Sequence, residues 1–279
     1  MNNRIILYLI IFLTIGISVY FYYRAPKNTI TKSNIPVTNT TSSDIKEAEI
    51  KPPEKEDISN YEVPVLMYHY IREVDKSKDE LGANLSVSPA KFDEHMKWLK
   101  DNGYKSVSFS YLLNPYKVDY KPIIITFDDG YKDAYTNAFP ILKKHGFIGV
   151  FYIITEVVGY PYYMSWENIK EMKNESMQFG SHSLSHPDLR NVSDNDLDAQ
   201  LRYSKDNLEK ELNISVTDFC YPSGKFEDRT INKLKELGYK TAVTTKMEIV
   251  DQNSDLFRLP RRRVQENSSI QTLVERPTE

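Results

Sequence analysis

Two adjacent carboxylates and a spaced pair of histidines are the residues of this sequence best suited to chemistry. Asp128 and Asp129 follow directly on an aliphatic run in "PIIITFDDGY", residues 122–131. A bare Asp-Asp-Gly is ordinary turn material. After such a run, however, it puts two charges at the carboxyl end of a buried strand, where the reactive groups of βα proteins collect. Neighbouring carboxylates in one pocket raise each other's pKa unless something positive neutralises one of them, and a divalent metal does so. His182 and His186, in "FGSHSLSHPDL" at residues 179–189, stand four apart, a spacing that lets both converge on one metal. One carboxylate with two histidines makes a three-ligand set that leaves positions for water and substrate. The other carboxylate is then free as a general base toward water whose pKa the metal lowers.

Alternating strands and helices must hold these groups. Residues 63–68, 105–109, 122–127 and 148–154 read as strands, and residues 218–221, 239–245 and 256–260 as weaker ones. Ser88 and Pro89 open a helix with the apolar face Phe92, Met96 and Leu99, and Gly103 stops it. Ser193, with Asp196 three residues on, opens another, carrying Leu197, Leu201, Leu208 and Leu212. A third carries Ile231, Leu234 and Leu237 and ends at Gly238. Strands alternating with helices imply βα units and a mostly parallel sheet. The number of units fits a βα barrel, an incomplete one included, better than a sandwich. His95 and His145 fall in helical settings and read as structural.

The first 60 residues read differently. "IILYLIIFLTIGISVYFYY", residues 5–23, is uncharged and long enough to span about 30 Å of hydrocarbon, with closing tyrosines like an interfacial belt. No Ala-x-Ala cleavage site follows and no cysteine is there for lipidation, so residues 1–24 are expected to be a retained signal anchor, a single transmembrane helix. Residues 25–60, rich in Thr, Ser, Lys, Glu and Pro, read as a disordered linker reaching roughly 35 Å. Residues 61–279 form the catalytic domain, expected outside the cell as a monomer.

Composition excludes little. A formal net charge of −3 and the lack of a basic stripe speak against nucleic-acid binding. The single cysteine, Cys220, rules out an intrachain disulfide and reads as a small buried hydrophobe. Twenty tyrosines and twelve phenylalanines supply a core or a flat-ligand surface.

"TFDDGY", then "SHSLSH", then "YPSG", in that order, resembles the polysaccharide deacetylase family, the NodB-like carbohydrate esterases. The opening "VPVLMYHYI" is similar to the subgroup of exported poly-N-acetylglucosamine deacetylases. The resemblance covers residues 61 to about 264 and implies an α/β fold, a distorted (β/α)7-type barrel. It also implies metal-dependent removal of acetyl groups from an acetylated polysaccharide, an N-acetylglucosamine polymer or peptidoglycan. By resemblance Asp128 is the general base and Asp129, His182 and His186 bind the metal, zinc first, with cobalt and nickel also suited. Tyr221 and Ser223, in the "YPSG" loop, contribute to the oxyanion and substrate site, with a backbone N–H near Ser223 as donor. His69, which follows an apolar run as Asp128 does, is the general acid. The sequence departs from the family in two respects, of which the lesser is Ser223 in place of a commoner tyrosine, a change that leaves the backbone donor intact. Cys220 stands where many members carry the arginine that steadies the base. Arg261, in "RLPRRRV" at residues 258–264, is the candidate substitute.

Other functions are weighed by the same residues. A two-carboxylate glycosidase needs carboxyls roughly 5–10 Å apart across a bond, and leaves the histidine pair unexplained. A phosphorylation receiver uses the aspartates and ignores the histidines. A tethered carbohydrate-binding domain with a decayed site follows if the missing arginine matters, and acetylated xylan is an alternative ester substrate.

Overall fold

The apolar runs become short parallel strands, and strand parity decides which side chains face inward. The structure, a computed structural model, describes residues 60–275. The anchor expected at residues 1–24 and the linker expected at residues 25–60, save its last residue, lie outside the described residues. Among the described residues no helix is long and apolar enough to cross a membrane.

The main run of the sheet consists of β1 (Val65–Tyr68), β2 (Lys121–Phe127), β3 (Val150–Ile153), β4 (Gln178–Ser181), β5 (Asp218–Cys220), β6 (Thr241–Val243) and β7 (Arg262–Arg263), and Tyr104–Ser106, near the strand expected at residues 105–109, pairs in parallel with the start of β2. In space they run β6-β5-β4-β3-β2-β1-β7, every pair parallel. Chain order and spatial order agree from β1 to β6, and β7 then returns beside β1. Leu259 bridges Val243 of β6 while Arg262 and Arg263 pair with Leu66 and Met67 of β1. Residues 259–263 thus cross between the two ends of the sheet. The architecture is a half-barrel of parallel α/β units. The strand expected at residues 256–260 is absent, because residues 255–258 form a turn in which the Arg258 N–H donates to the Asp255 carbonyl at 2.8 Å, and only Leu259 forms a bridge to β6.

Helices α1 (Pro89–Asp101), α2 (Phe139–His145), α3 (Trp166–Asn174), α4 (Asp194–Leu212) and α5 (Asp228–Glu236) cover the outside. The expected N-caps are in place. Ser88 accepts from the N–H of Lys91, and Ser193 from that of Asp196. Strand residues alternate between two apolar clusters, as a period of two requires. Ile123, Ile125 and Phe127 pack toward the helices, whereas Ile124 joins Val65, Val150, Tyr152, Cys220 and Val243 inside the barrel. Asp128 shares the parity of Ile124 and Thr126 and so faces inward. His69 shares that of Val65, and His182 that of Gly180.

Strand β4 carries His182 and was not expected as a strand. Gln, Gly and Ser are poor strand formers, and Gly180 is there for space. A Cβ at Gly180 would lie 2.6 Å from the Tyr152 ring and 2.8 Å from the carbonyl oxygen of Asp218.

Candidate metal centre and active site

The inward-facing residues at the strand ends meet around the two aspartates. Asp128 follows directly on β2 and is buried. Arg261 donates to it through both Nη atoms, at 2.7 Å to Oδ1 and 2.8 Å to Oδ2. The guanidinium is fully buried inside the barrel and also donates to Thr126 Oγ1 at 3.0 Å, to the Thr244 carbonyl at 3.0 Å and to Cys220 Sγ at 3.2 Å. Burial alone would push the Asp128 carboxyl up. The charge and hydrogen bonds of Arg261 override it, with help from His69 and His182, and hold the carboxyl far below the usual range. Asp128 is therefore ionised at any working pH.

Asp129 points elsewhere. Its backbone is in the left-handed region, φ 72°, so its side chain leaves the strand direction. Its Oδ1 lies 3.3 Å from His182 Nε2 and 3.7 Å from His186 Nε2. His186 and Ser183 are also left-handed, φ 61° and 66°, which folds the loop after β4 back so that the two imidazoles sit edge to face, 4.7 Å between centroids. The Ser183 hydroxyl accepts from the His186 N–H at 2.9 Å and fixes that turn. Non-glycine residues in this region are uncommon and concentrate at functional sites.

These donors suit a divalent cation. The ligand atoms of Asp129, His182 and His186 lie within 4.8 Å of one another. His182 Nδ1 is 2.8 Å from the Cys220 carbonyl oxygen, which can only accept. Nδ1 therefore carries the proton there, and Nε2 is the atom left to face Asp129. Burial disfavours a charged His182, yet Cys220, Asp129 and Asp128 together push its pKa well up. The field at Nε2 favours positive charge, and a metal ion on its lone pair answers the same field. Asp128, His182 and Cys220 form a second cluster by distance, but it suits a metal poorly. Both Asp128 oxygens are taken by Arg261, and burial pushes the Cys220 thiol up, away from the thiolate a metal needs.

His69 is also brought to the site, with Nε2 3.8 Å from Asp128 Oδ2. Burial lowers its pKa more than Asp128 and Asp129 raise it. Ser223 is exposed, φ 55°, in the turn Pro222–Gly224, and its N–H has no hydrogen bond among the described residues. Tyr221 corrects the expectation that it forms part of the oxyanion site. Its N–H donates to the Val243 carbonyl at 3.2 Å, its hydroxyl to the Phe257 carbonyl at 2.9 Å, and its ring is buried against Phe226. Both its donors are spent in the core. His95 and His145 stand apart from the site, His95 beside Tyr68 and His145 beside Asp93. Thr126 and Thr244, which position Arg261, carry no motif by which the sequence could single them out.

Comparison with known proteins finds deacetylases. The family described as Polysaccharide deacetylase matches residues 116–242. The chain is 31% identical over 206 residues to the putative polysaccharide deacetylase YxkH of Bacillus subtilis, covering 72% of this chain and 71% of that protein. It is 28% identical over 256 residues to the poly-beta-1,6-N-acetyl-D-glucosamine N-deacetylase of Staphylococcus aureus, covering 81% of this chain and 87% of the relative. Among solved structures, the Streptococcus pyogenes deacetylase PplD in complex with acetate superposes with a TM-score of 0.74 at 33% identity, over 78% of this chain and 100% of that one.

Proposed function

This chain belongs to the polysaccharide deacetylase family, and from that premise we propose that it removes N-acetyl groups from a β-linked N-acetylglucosamine polymer by metal-assisted hydrolysis. The observation that carries this reading is the division of labour between adjacent carboxylates. Asp128 is held by Arg261 while Asp129 faces two imidazole nitrogens. The substrate class is supported by the Staphylococcus aureus relative, which is named for poly-beta-1,6-N-acetyl-D-glucosamine. The apolar run at residues 5–23 and the polar stretch after it support a place at the outer face of a membrane, where such polymers lie.

Asp129, His182 and His186 would hold the ion. When bound, a divalent cation such as zinc polarises an acyl oxygen and lowers the pKa of water, the chemistry an amide needs. Asp128 takes the proton from the attacking water. Arg261 keeps that carboxylate ionised and aims it, because its planar fork meets both oxygens at once. The backbone N–H of Ser223 faces the developing oxyanion as a neutral donor. His69, on the same barrel face and neutral at rest because burial lowers its pKa, takes up the proton that Asp128 removes from water and passes it as general acid to the departing sugar amine. The products are acetate and a glucosamine unit.

The test is acetate release from a panel of acetylated glycans, including β-1,6-linked N-acetylglucosamine, peptidoglycan and acetylated xylan. Release from the first, lost in Asp128→Asn and after chelation, is the expected result. New reducing ends without acetate would instead indicate a glycosidase and sink the reading.

A further inference from the structure

Beside the metal centre lies a column of tyrosines that the proposed chemistry does not use. Tyr70 follows His69 in the chain, and Tyr131 comes two residues after Asp129. Their rings stack at 3.8 Å and 21°, and Tyr131 stacks on Tyr163 at 5.2 Å and 28°. The Arg72 guanidinium lies over the Tyr70 ring at 3.7 Å. The loop bearing Tyr163 is zipped onto the catalytic turn. Lys132 N–H donates to the Tyr162 carbonyl at 2.8 Å and Met164 N–H to the Gly130 carbonyl at 3.0 Å, around an antiparallel bridge between Tyr131 and Tyr163.

That loop presents two aromatic rings to solvent, Tyr160 at 59% exposure and Tyr162 at 84%. One exposed hydrophobe needs no explanation. Two on a single loop, fixed by backbone hydrogen bonds to the turn that carries Asp129, are a different matter. Tyr162 is held in the left-handed region, φ 73°, which a bulky side chain rarely adopts. The strain is retained where a buried ring in relaxed backbone would serve the core better. Tyrosine offers a flat apolar face, a polar tip and few rotatable bonds, and so gives contact area at small entropic cost. A pyranose ring presents a matching flat C–H face, and a polymer presents one at every unit.

We infer that Tyr160 and Tyr162, on the loop anchored by backbone hydrogen bonds to the turn after Asp129, form a stacking subsite for a sugar unit next to the one being deacetylated. The inference deepens the proposed function and rests on it for the identity of the polymer. The loop does not touch the reacting atoms; its work is to hold the chain so that the acetylated unit lies over Asp128 and Asp129.

The test uses the full chain and the variants Tyr160→Ala, Tyr162→Ala and both together, with a β-1,6-linked N-acetylglucosamine pentamer and 4-nitrophenyl acetate as probes. The expected result for the double variant is a pentamer Kd raised about tenfold, with KM rising alongside and kcat held. The ratio of kcat/KM for pentamer to that for the aryl acetate falls by the same factor. Unchanged pentamer affinity overturns the inference, and so does a parallel loss toward both probes. Weakened binding to phosphatidylglycerol vesicles with intact pentamer binding also overturns it, assigning the loop to a lipid surface. A native chain that binds pentamer through these tyrosines but releases no acetate leaves the subsite standing and fails the deacetylase reading alone. A native chain that binds no pentamer overturns the subsite.

Discussion

Arg261 and Asp128 stand 133 residues apart in the chain and meet as a bidentate ion pair, 2.7 and 2.8 Å, with both side chains buried. The pair joins the end of β2 to the segment that crosses between β6 and β1, so it serves both the fold and the proposed base. Removing one partner leaves an uncompensated buried charge, which costs about 3–5 kcal/mol. Arg261→Met is expected to lower stability by that order and kcat/KM by about 100-fold or more, the usual share of a positioned base. Arg261→Lys keeps charge without the fork and should fall between. In Asp128→Asn/Arg261→Met, stability should recover in part while activity stays lost. Urea unfolding and acetate release check the cycle, and an Arg261→Met protein with native stability and activity would refute it.

Gly180 carries a second prediction. Any side chain there meets the Tyr152 ring and the backbone of Asp218, neither of which can give way freely. Overpacking of this kind costs about 1–3 kcal/mol and shifts backbone. Because β4 ends one residue before His182, the shift reaches a proposed metal ligand. Gly180→Ala is expected to lower both the unfolding midpoint and the affinity for zinc. A variant with reduced stability but native zinc affinity would show that β4 and the site are uncoupled.

Much of this was legible in the sequence for physical reasons. An aliphatic run such as residues 123–125 can only be a buried strand, and serine caps with periodic leucines specify α1 and α4. The adjacent aspartates and spaced histidines carry their chemistry in their types. What stayed hidden depends on contacts distant in sequence. β4 has the composition of a loop and is a strand because β3 and β5 flank it. Residues 256–260 have the composition of a strand and pair only at Leu259. Among three consecutive arginines, Arg261 alone is fully buried and paired with Asp128, and sequence spacing cannot say which one the carboxylate takes. Tyr221 looks like a surface aromatic in a catalytic loop, and only its bonds to Val243 and Phe257 reveal a core residue.

Metal binding should separate the two aspartates. Asp129→Asn removes the anionic charge of a ligand and His186→Ala removes a donor from the cluster, and each is expected to weaken zinc or cobalt binding by about 100-fold or more, beyond the 10–100-fold typical of outer partners. Asp128→Asn should bind within a few-fold of the native chain, because its oxygens face Arg261. Calorimetry on chelator-stripped protein gives the affinities, and acetate release should vanish on stripping and return with zinc or cobalt. Loss of binding in Asp128→Asn but not in Asp129→Asn would reverse the assignment.

The last prediction concerns pH and a histidine outside the site. His95 is buried in α1, its Nδ1 3.1 Å from the Tyr68 hydroxyl, and burial pushes its imidazole down to about 4. A histidine lowered on folding binds its proton more readily in the unfolded chain. Stability is therefore whole above the ordinary value of about 6.5 and is lost as pH falls from there to about 4, below which this group adds nothing further. At about 1.4 kcal/mol per unit the loss is about 3 kcal/mol. Asp133 acts in the opposite sense. Burial raises its carboxyl to about 6, so its ionisation costs stability as pH rises, and the net curve of the native chain mixes the two. Comparing variants isolates His95. His95→Gln keeps a partner for the Tyr68 hydroxyl and does not titrate, so its stability should fall less than the native chain's between pH 6.5 and 4. Identical slopes in urea unfolding would place the acid sensitivity elsewhere. A smaller slope in His95→Gln, with the Asp133 contribution common to both proteins, would tie it to this one buried imidazole.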